Sequence, residues 1–284
     1  MSKGLLDPKV DFVFKNIFGS PNHPEILISF LNATLKPKRK IVNVDIKKTD
    51  IEKQYIEDKY SRLDVKATTS NDEIINIEIQ LKNENNMIKR SLYYLSKIYE
   101  EQLNEKEDYS KLVRTVCINI LNFKYLKTDN FHTGYRFKEI ETNEELTDVM
   151  EVHFIEIPKL EDSNDEKDML VAWTEFLKDP ESEKVRGLEL SIEEIRQAKD
   201  ELIRMSNDST QRQLYDMRAN SLRDKISELN AAERKGIEKG IEKGKKEEKI
   251  AIARNLLDVL DNETIALKTG LTILDVEKLR SKSK

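Results

Sequence analysis

Two short stretches joined by a turn constrain this chain more than any other feature: Arg62-Leu63-Asp64-Val65-Lys66-Ala67 and Ile74-Ile75-Asn76-Ile77-Glu78-Ile79-Gln80-Leu81. Each alternates apolar and polar residues with period two, as a strand with one buried face does. Asn71-Asp72 between them supplies turn chemistry, so the pair reads as an antiparallel hairpin. Its register is restricted, because Leu63, Val65 and Ala67 must share the core face with Ile77, Ile79 and Leu81. A slip of one residue would send one set to water. Asp64, Glu78 and Gln80 then fall on the opposite face, with Asp64 across from Glu78 or Gln80 and Cβ atoms roughly 4.5–5.5 Å apart. Two carboxylates about 5 Å apart repel by roughly 3 kcal/mol at an effective dielectric near 20. Such a face calls for a counter-charge, from Lys66, Arg62 or a divalent metal.

The flanking pattern predicts what the hairpin sits in. Asp7-Pro8 opens a helix that carries Phe14, Ile17 and Phe18 and is closed by Gly19. A second helix starts near Pro24 and buries Ile26, Leu27, Phe30 and Leu31, and the alternation of Val42, Val44 and Ile46 predicts a strand. Residues 87–103 return to helical period, with Leu92, Leu95, Tyr99 and Leu103 on one stripe and Arg90, Tyr94 and Lys97 on or near another. Residues 111–123 are too continuously apolar for a one-sided strand and predict a central, buried one. Further strands are expected over 135–140 and 152–157. The order α-α-β-β-β-α-β-β-β predicts an α/β fold with a mixed sheet between helices.

After Pro158 the pattern is helical. Met169, Leu170, Trp173 and Phe176 share one face over 161–178, a second helix covers 192–205, and Asp208 or Ser209 caps a third through Leu214, Met217, Leu222 and Ile226. A degraded Lys-Gly-Ile-Glu repeat then places Gly236, Gly240 and Gly244 four apart, each costing about 1 kcal/mol relative to Ala inside a helix. The repeat reads as a solvated helix or tether, with close helix–helix approach along the glycines as the alternative. At the C-terminus Asn262 caps a helix, Thr269-Gly270 breaks it, and Thr272-x-x-Asp275 forms a capping box for the next. Asp275 and Glu277 oppose entry into a DNA groove, so a helical hairpin packed on the long helix is favoured over a helix-turn-helix reader. The expected division is a sheet domain over 1–160, a helical region over 161–230, and the repeat with its hairpin over 231–284.

Charge and cysteine narrow the partners. With 49 basic and 54 acidic residues the net charge is −5, so DNA contact must come from local patches such as Lys36, Lys38, Arg39 and Lys40. The lone Cys117 sits in an apolar run without a neighbouring histidine, which fits a reducing cytoplasm and argues against a thiol nucleophile. No apolar run approaches the ~20 residues of a membrane span, and no signal-peptide core opens the chain. His23, His132 and His153 lack the ligand spacing of a zinc site, and no glycine-rich phosphate loop is present.

Asp64 followed by Glu78-Ile79-Gln80, set among 11–19, 27–33, Arg90-Ser91-Leu92-Tyr93-Tyr94 and Tyr109, resembles the PD-(D/E)XK nuclease superfamily in its recombination-promoting nuclease and transposase branch. The likeness covers roughly residues 5–125 well and the C-terminus loosely. It implies a restriction-endonuclease-like mixed sheet flanked by helices, here followed by an all-helical extension. It also implies a Mg²⁺-dependent DNA endonuclease (Mn²⁺ serving as well) whose breaks promote recombination. By the resemblance Asp64 and Glu78 are metal ligands and the Ile79 carbonyl a further one. Gln80 replaces the usual lysine, and Asp11 is a fourth acid unless it simply pairs with Lys15 at i,i+4. Glutamine can hydrogen-bond a water but brings no positive charge. Arg90, Lys97, Lys38 and Arg39 are the expected phosphate contacts, and a homodimer is expected because one metal site cuts one strand. Gln80 and the acidic balance favour the alternative, a non-catalytic DNA-binding or assembly protein that keeps the fold.

Overall fold

The computed structural model describes residues 4–47, 65–161 and 167–282 of the chain. Arg62, Leu63 and Asp64, the start of the expected hairpin, lie outside the described residues. The chain divides into two compact units, Met1–Asn220 and Ser221–Lys284.

The first unit holds α1 (Asp11–Phe18), α2 (Pro24–Leu35), β1 (Val44–Lys47), β2 (Val65–Thr69), β3 (Ile74–Gln80), α3 (Met87–Glu100), β4 (Thr115–Leu121), β5 (His132–Lys138) and β6 (Glu145–Glu156), in the order expected. Then come α4 (Met169–Lys178), α5 (Glu183–Ser191), α6 (Glu193–Asn207) and the first turns of α7 (Ser209–Leu256). The six strands lie in the order β1-β2-β3-β4-β6-β5. β3, β4 and β6 run parallel, while β1, β2 and β5 are joined antiparallel. Parallel pairing of β3 with β4 requires a crossover, and α3 makes it.

One apolar face of the sheet carries Val65, Ala67, Ile75, Ile77, Ile79, Val116, Ile118 and Ile120. It packs against Phe14 and Phe18 of α1, Leu27 and Phe30 of α2, Trp173 and Phe176 of α4, and Ala198 and Leu202 of α6. The helices after residue 160 are therefore part of the sheet's own core. Trp173 is fully buried, edge-on to Phe18 at 5.3 Å and to Phe176 at 6.0 Å. α5 was not foreseen; with Gly187 inside it and only Val185 buried, it has almost no apolar pattern to read.

The other face corrects two expectations. Strand β3 is buried from Ile75 to Ile79 on both sides, not half-solvated; α3 lies on this face of the sheet, packed on β4 and β6, and reaches β3 through Arg90. The helix buries Met87, Ser91, Tyr94, Leu95 and Ile98, and Leu92, placed on the buried stripe by sequence, is 49% exposed. Met87, Leu95 and Ile98 pack with Cys117, Leu121, Val152 and Phe154. The result is a mixed six-stranded sheet between helices, the restriction-endonuclease-like layering expected.

In the second unit α7 continues through the glycine repeat as helix. Nothing lies within 4 Å of where a Cβ would stand on Gly236, Gly240 or Gly244, so no second helix approaches them among the described residues. Ala253 and Leu257 at its end pack with Ile265 and Ala266 of α8 (Asn262–Thr269) and Val276 of α9 (Ile273–Lys282). The α8 cap is Asp261, one residue before the expected Asn262; its Oδ1 accepts from Thr264 N at 2.8 Å. Gly270 closes the helix with φ at 67°, a left-handed conformation that favours glycine. Asp275 N donates to Thr272 Oγ1 at 3.1 Å, as a capping box requires. No helix among the described residues is long and apolar enough to cross a membrane.

Candidate active site

The β2–β3 ladder pairs Val65 with Ile77, Lys66 with Asn76, Ala67 with Ile75 and Thr68 with Ile74. Val65 and Ala67 share the core face with Ile77 and Ile79, joined by Ile75, while Leu63 lies outside the described residues and Leu81 is only partly buried; alternation turns Asn76, Glu78 and Gln80 to the other face. Lys66 is not the counter-charge for this face, since its Nζ lies 3.6 Å from Glu101. Arg90 takes that place, one turn into α3, with Nε 3.4 Å from Glu78 Oε2 and its guanidinium carbon 5.0 Å from the Tyr94 ring centroid. Asn76 Nδ2 reaches Glu78 Oε1 at 3.4 Å. Glu78 is only 3% exposed. Burial raises its pKa above the ordinary carboxylate value, against the opposing charge and hydrogen bond of Arg90 and the hydrogen bond of Asn76.

Strand β4 completes the floor. It brings Cys117 opposite Asn76 and Asn119 opposite Glu78. Ser91 Oγ from α3 lies 2.7 Å from Asn119 Oδ1, and Asn119 Nδ2 donates to the His153 carbonyl at 3.1 Å. Burial and the nearby Glu78 charge push the Cys117 thiol up to about 12, which leaves it inert as a nucleophile.

The donors at this site suit a hard cation. Both contacts to the Glu78 carboxylate are long beside the ~2.7–2.9 Å of a tight charged pair. Asn76 Oδ1 is buried with no hydrogen-bond partner. A buried carboxylate held by long contacts and one unpartnered amide oxygen are hard ligands of the kind that Mg²⁺ or Mn²⁺ prefers. No cluster of three metal-ligating His, Cys, Asp or Glu side chains occurs among the described residues, and Asp64 lies outside them.

The other expected site residues are dispersed. Gln80 ends β3 half-buried, its carbonyl accepting from Asn122 N at 2.9 Å, and the Ile79 side chain sits in the apolar core. Asp11 is exposed and pairs with Arg218 at 3.1 Å rather than with Lys15. Lys97 lies 4.0 Å from Glu101. Lys38 and Arg39 stand beside the turn before β3, lining a cavity of about 520 Å³ with Arg114 and Arg136. Asn71 Nδ2 ties that loop by donating to the Arg39 carbonyl at 3.1 Å. That end of β3, at Ile74, is roughly 13 Å from Glu78, at ~3.3 Å per residue.

Sequence reasoning missed a buried ionic relay on the opposite face. His132 Nε2 lies 2.9 Å from His153 Nδ1, and His153 Nε2 lies 2.5 Å from Glu151 Oε1. Glu151 Oε2 accepts from Arg114 Nη2 at 2.6 Å and Arg136 Nε at 2.7 Å. Burial opposes the Glu151 charge, but His153 and the two arginines outweigh it and hold the pKa at about 2. Burial, then His153 and Lys36, lower His132 to about 4. Gly134 makes the room, since a Cβ there would meet His153 Cε1 at 3.0 Å. No spacing signals this cluster; it exists because β5 and β6 pair Gly134 with His153.

A family model described as PD-(D/E)XK nuclease family transposase matches residues 8–232. Comparison with curated proteins and with solved structures gives no match. The matched span takes in the whole sheet, its packed helices and Glu78 in its buried polar row. The chain belongs to the PD-(D/E)XK nuclease family transposases.

Proposed function

We propose that the protein is a divalent-metal-dependent endodeoxyribonuclease in which Asp64, Glu78 and the Ile79 carbonyl hold Mg²⁺ or Mn²⁺. The observation that carries this reading is Glu78, a carboxylate 3% exposed on a central strand and held by two contacts of 3.4 Å. A fold does not usually keep such a group without a use for its charge. The partner acid, Asp64, is the one that the resemblance of Asp64 followed by Glu78-Ile79-Gln80 implies. Family membership supports a nuclease-like function with DNA as substrate and a divalent metal as the usual cofactor.

A bound cation of this kind lowers the pKa of a coordinated water and offsets charge that builds on the phosphate. The chain's own residues do the rest. Glu78 orients the site from β3 with Asp64 as its partner acid, and burial keeps the Glu78 carboxylate in a low dielectric, where its charge acts strongly. The Gln80 amide hydrogen-bonds the attacking water and holds it in line, but adds no positive charge. Lys97 and Arg90 contact phosphate near the scissile bond. Lys38 and Arg39 meet the backbone about four base-pair steps away, at ~3.4 Å per step. Asp11 acts in this reading through its pair with Arg218, which ties α1 to α7. Two copies of the chain cut the two strands, and the resulting breaks promote recombination.

Gln80 favours a second reading, a DNA-binding or assembly protein that retains the fold without cleavage. Plasmid nicking in Mg²⁺ separates the two. Wild type nicks, while Asp64→Ala and Glu78→Ala, each folded by circular dichroism, do not. Unchanged nicking by either variant ends the assignment, and DNA binding without any cleavage by wild type establishes the alternative.

A further inference from the structure

We propose that Arg90 is the resident counter-ion of Glu78 and competes with the divalent cation for it, so that Arg90 sets the metal affinity of the site. The inference rests on the metal-dependent reading above and deepens it.

A carboxylate buried as deeply as Glu78 needs an opposite charge nearby. Among the described residues Arg90 is the cation at ion-pair distance. The other cations of this face are engaged elsewhere, Lys66 and Lys97 both near Glu101. The Arg90 contact to Glu78 is built to be exchanged. It is a single Nε approach at 3.4 Å, where a fork-to-carboxylate pair would close to ~2.7–2.9 Å through two nitrogens. The guanidinium also has a second seat on the same helix, the Tyr94 ring one turn on at 5.0 Å. That ring is itself buried and braced edge-on by Tyr93 at 5.5 Å. The Arg90 side chain is 21% exposed against 4% for Glu78, so an ion reaching the carboxylate from solvent meets the arginine's side of the pair.

Charge then decides the outcome. With Arg90 in place, a dication would face a like charge at close range and share one carboxylate with it, an arrangement that like-charge repulsion disfavours. Metal binding at Glu78 therefore displaces the guanidinium, which stays on Tyr94. Without metal Arg90 neutralises Glu78, and with metal it gives the carboxylate up to the ion.

Titration calorimetry of the full-length protein with Mn²⁺ tests the competition. Arg90→Gln keeps a hydrogen-bond donor for Glu78 and removes the charge, so it guards against loss of the fold in Arg90→Ala. Both are expected to bind Mn²⁺ at least about tenfold more tightly than wild type, as removal of a like charge beside a dication predicts. Arg90→Lys keeps the charge and stays within about threefold of wild type. Mn²⁺ also raises the Tm of Arg90→Gln more than that of wild type, because tighter binding to the folded state stabilises it more. Wild type that binds Mn²⁺ while Arg90→Gln and Arg90→Ala bind no more tightly overturns the competition and leaves the metal site standing. No Mn²⁺ binding by wild type or any Arg90 variant overturns the metal reading, and this inference with it.

Discussion

Replacing Glu78 by Gln should stabilise the metal-free protein, although it breaks an ion pair. Attraction between opposite charges at 3.4 Å is worth roughly 5 kcal/mol at an effective dielectric near 20. Taking each ion out of water costs several kcal/mol, and Glu78 is 3% exposed. Its raised pKa shows which effect wins: in the folded protein the charged form is disfavoured by burial despite Arg90 and Asn76. The isosteric amide removes that charge and keeps a hydrogen bond to Asn76. Arg90 is left behind, but at 21% exposure it can turn to water. Neutral replacement of buried ionic groups gains up to about 4 kcal/mol elsewhere, and with one arginine stranded a gain of ~1–2 kcal/mol is expected here. That corresponds to roughly 3–6 °C in Tm for a unit of this size.

The pH dependence carries the same sign. A carboxyl whose folded pKa lies above its unfolded one adds stability that is fully present below the unfolded value, near 4.5, and is lost as pH climbs through the folded value. Wild type should lose this contribution on going from pH 4.5 toward neutrality, and Glu78→Gln should not. Differential scanning calorimetry in EDTA at several pH values reads both effects, and added Mn²⁺ should raise the Tm of wild type alone. A variant several degrees less stable than wild type at pH 8 in EDTA would refute the reasoning, because Glu78 and Arg90 would then be a structural tie.

Two further outcomes probe the rest of the fold. Trp173→Ala, which empties a fully buried site between Phe18 and Phe176, should cost ~3–5 kcal/mol in urea unfolding, and a loss below about 1 kcal/mol would deny the shared core of sheet and α4. His132, lowered to about 4, contributes stability that is present above its unfolded value of 6.5 and lost as pH falls through about 4, on the order of 1–3 kcal/mol; His132→Gln should flatten the stability curve in that window, and an unchanged curve would contradict the buried relay.

Much of this architecture was legible in the chain because local pattern and tertiary role agree. The nine elements through β6 follow the expected order, since period-two and period-3.6 runs there are bounded by Gly, Pro and Asn. The hairpin register was readable in part for the same reason: Val65 and Ala67 share the core face with Ile77 and Ile79, and Ile75, which faces Ala67, joins them. Legibility failed where burial was polar. Asn76 and Glu78 look like a solvated face, yet both are buried, and the buried α3 residues Ser91 and Tyr94 have no hydrophobic signature. Leu92 drew the helix stripe the wrong way for that reason. The Arg90–Glu78 and His132–His153 contacts join partners 12 and 21 residues apart across strands and a crossover, which no local spacing encodes.

The central claim is that Glu78 and Asp64 share one divalent ion. Anomalous diffraction from a Mn²⁺-soaked crystal tests it most directly. The account predicts a single peak ~2.0–2.2 Å from one carboxylate oxygen of each residue, with the Arg90 guanidinium moved off Glu78. Well-ordered Asp64 and Glu78 with no peak between them, and Arg90 still against Glu78, would contradict it.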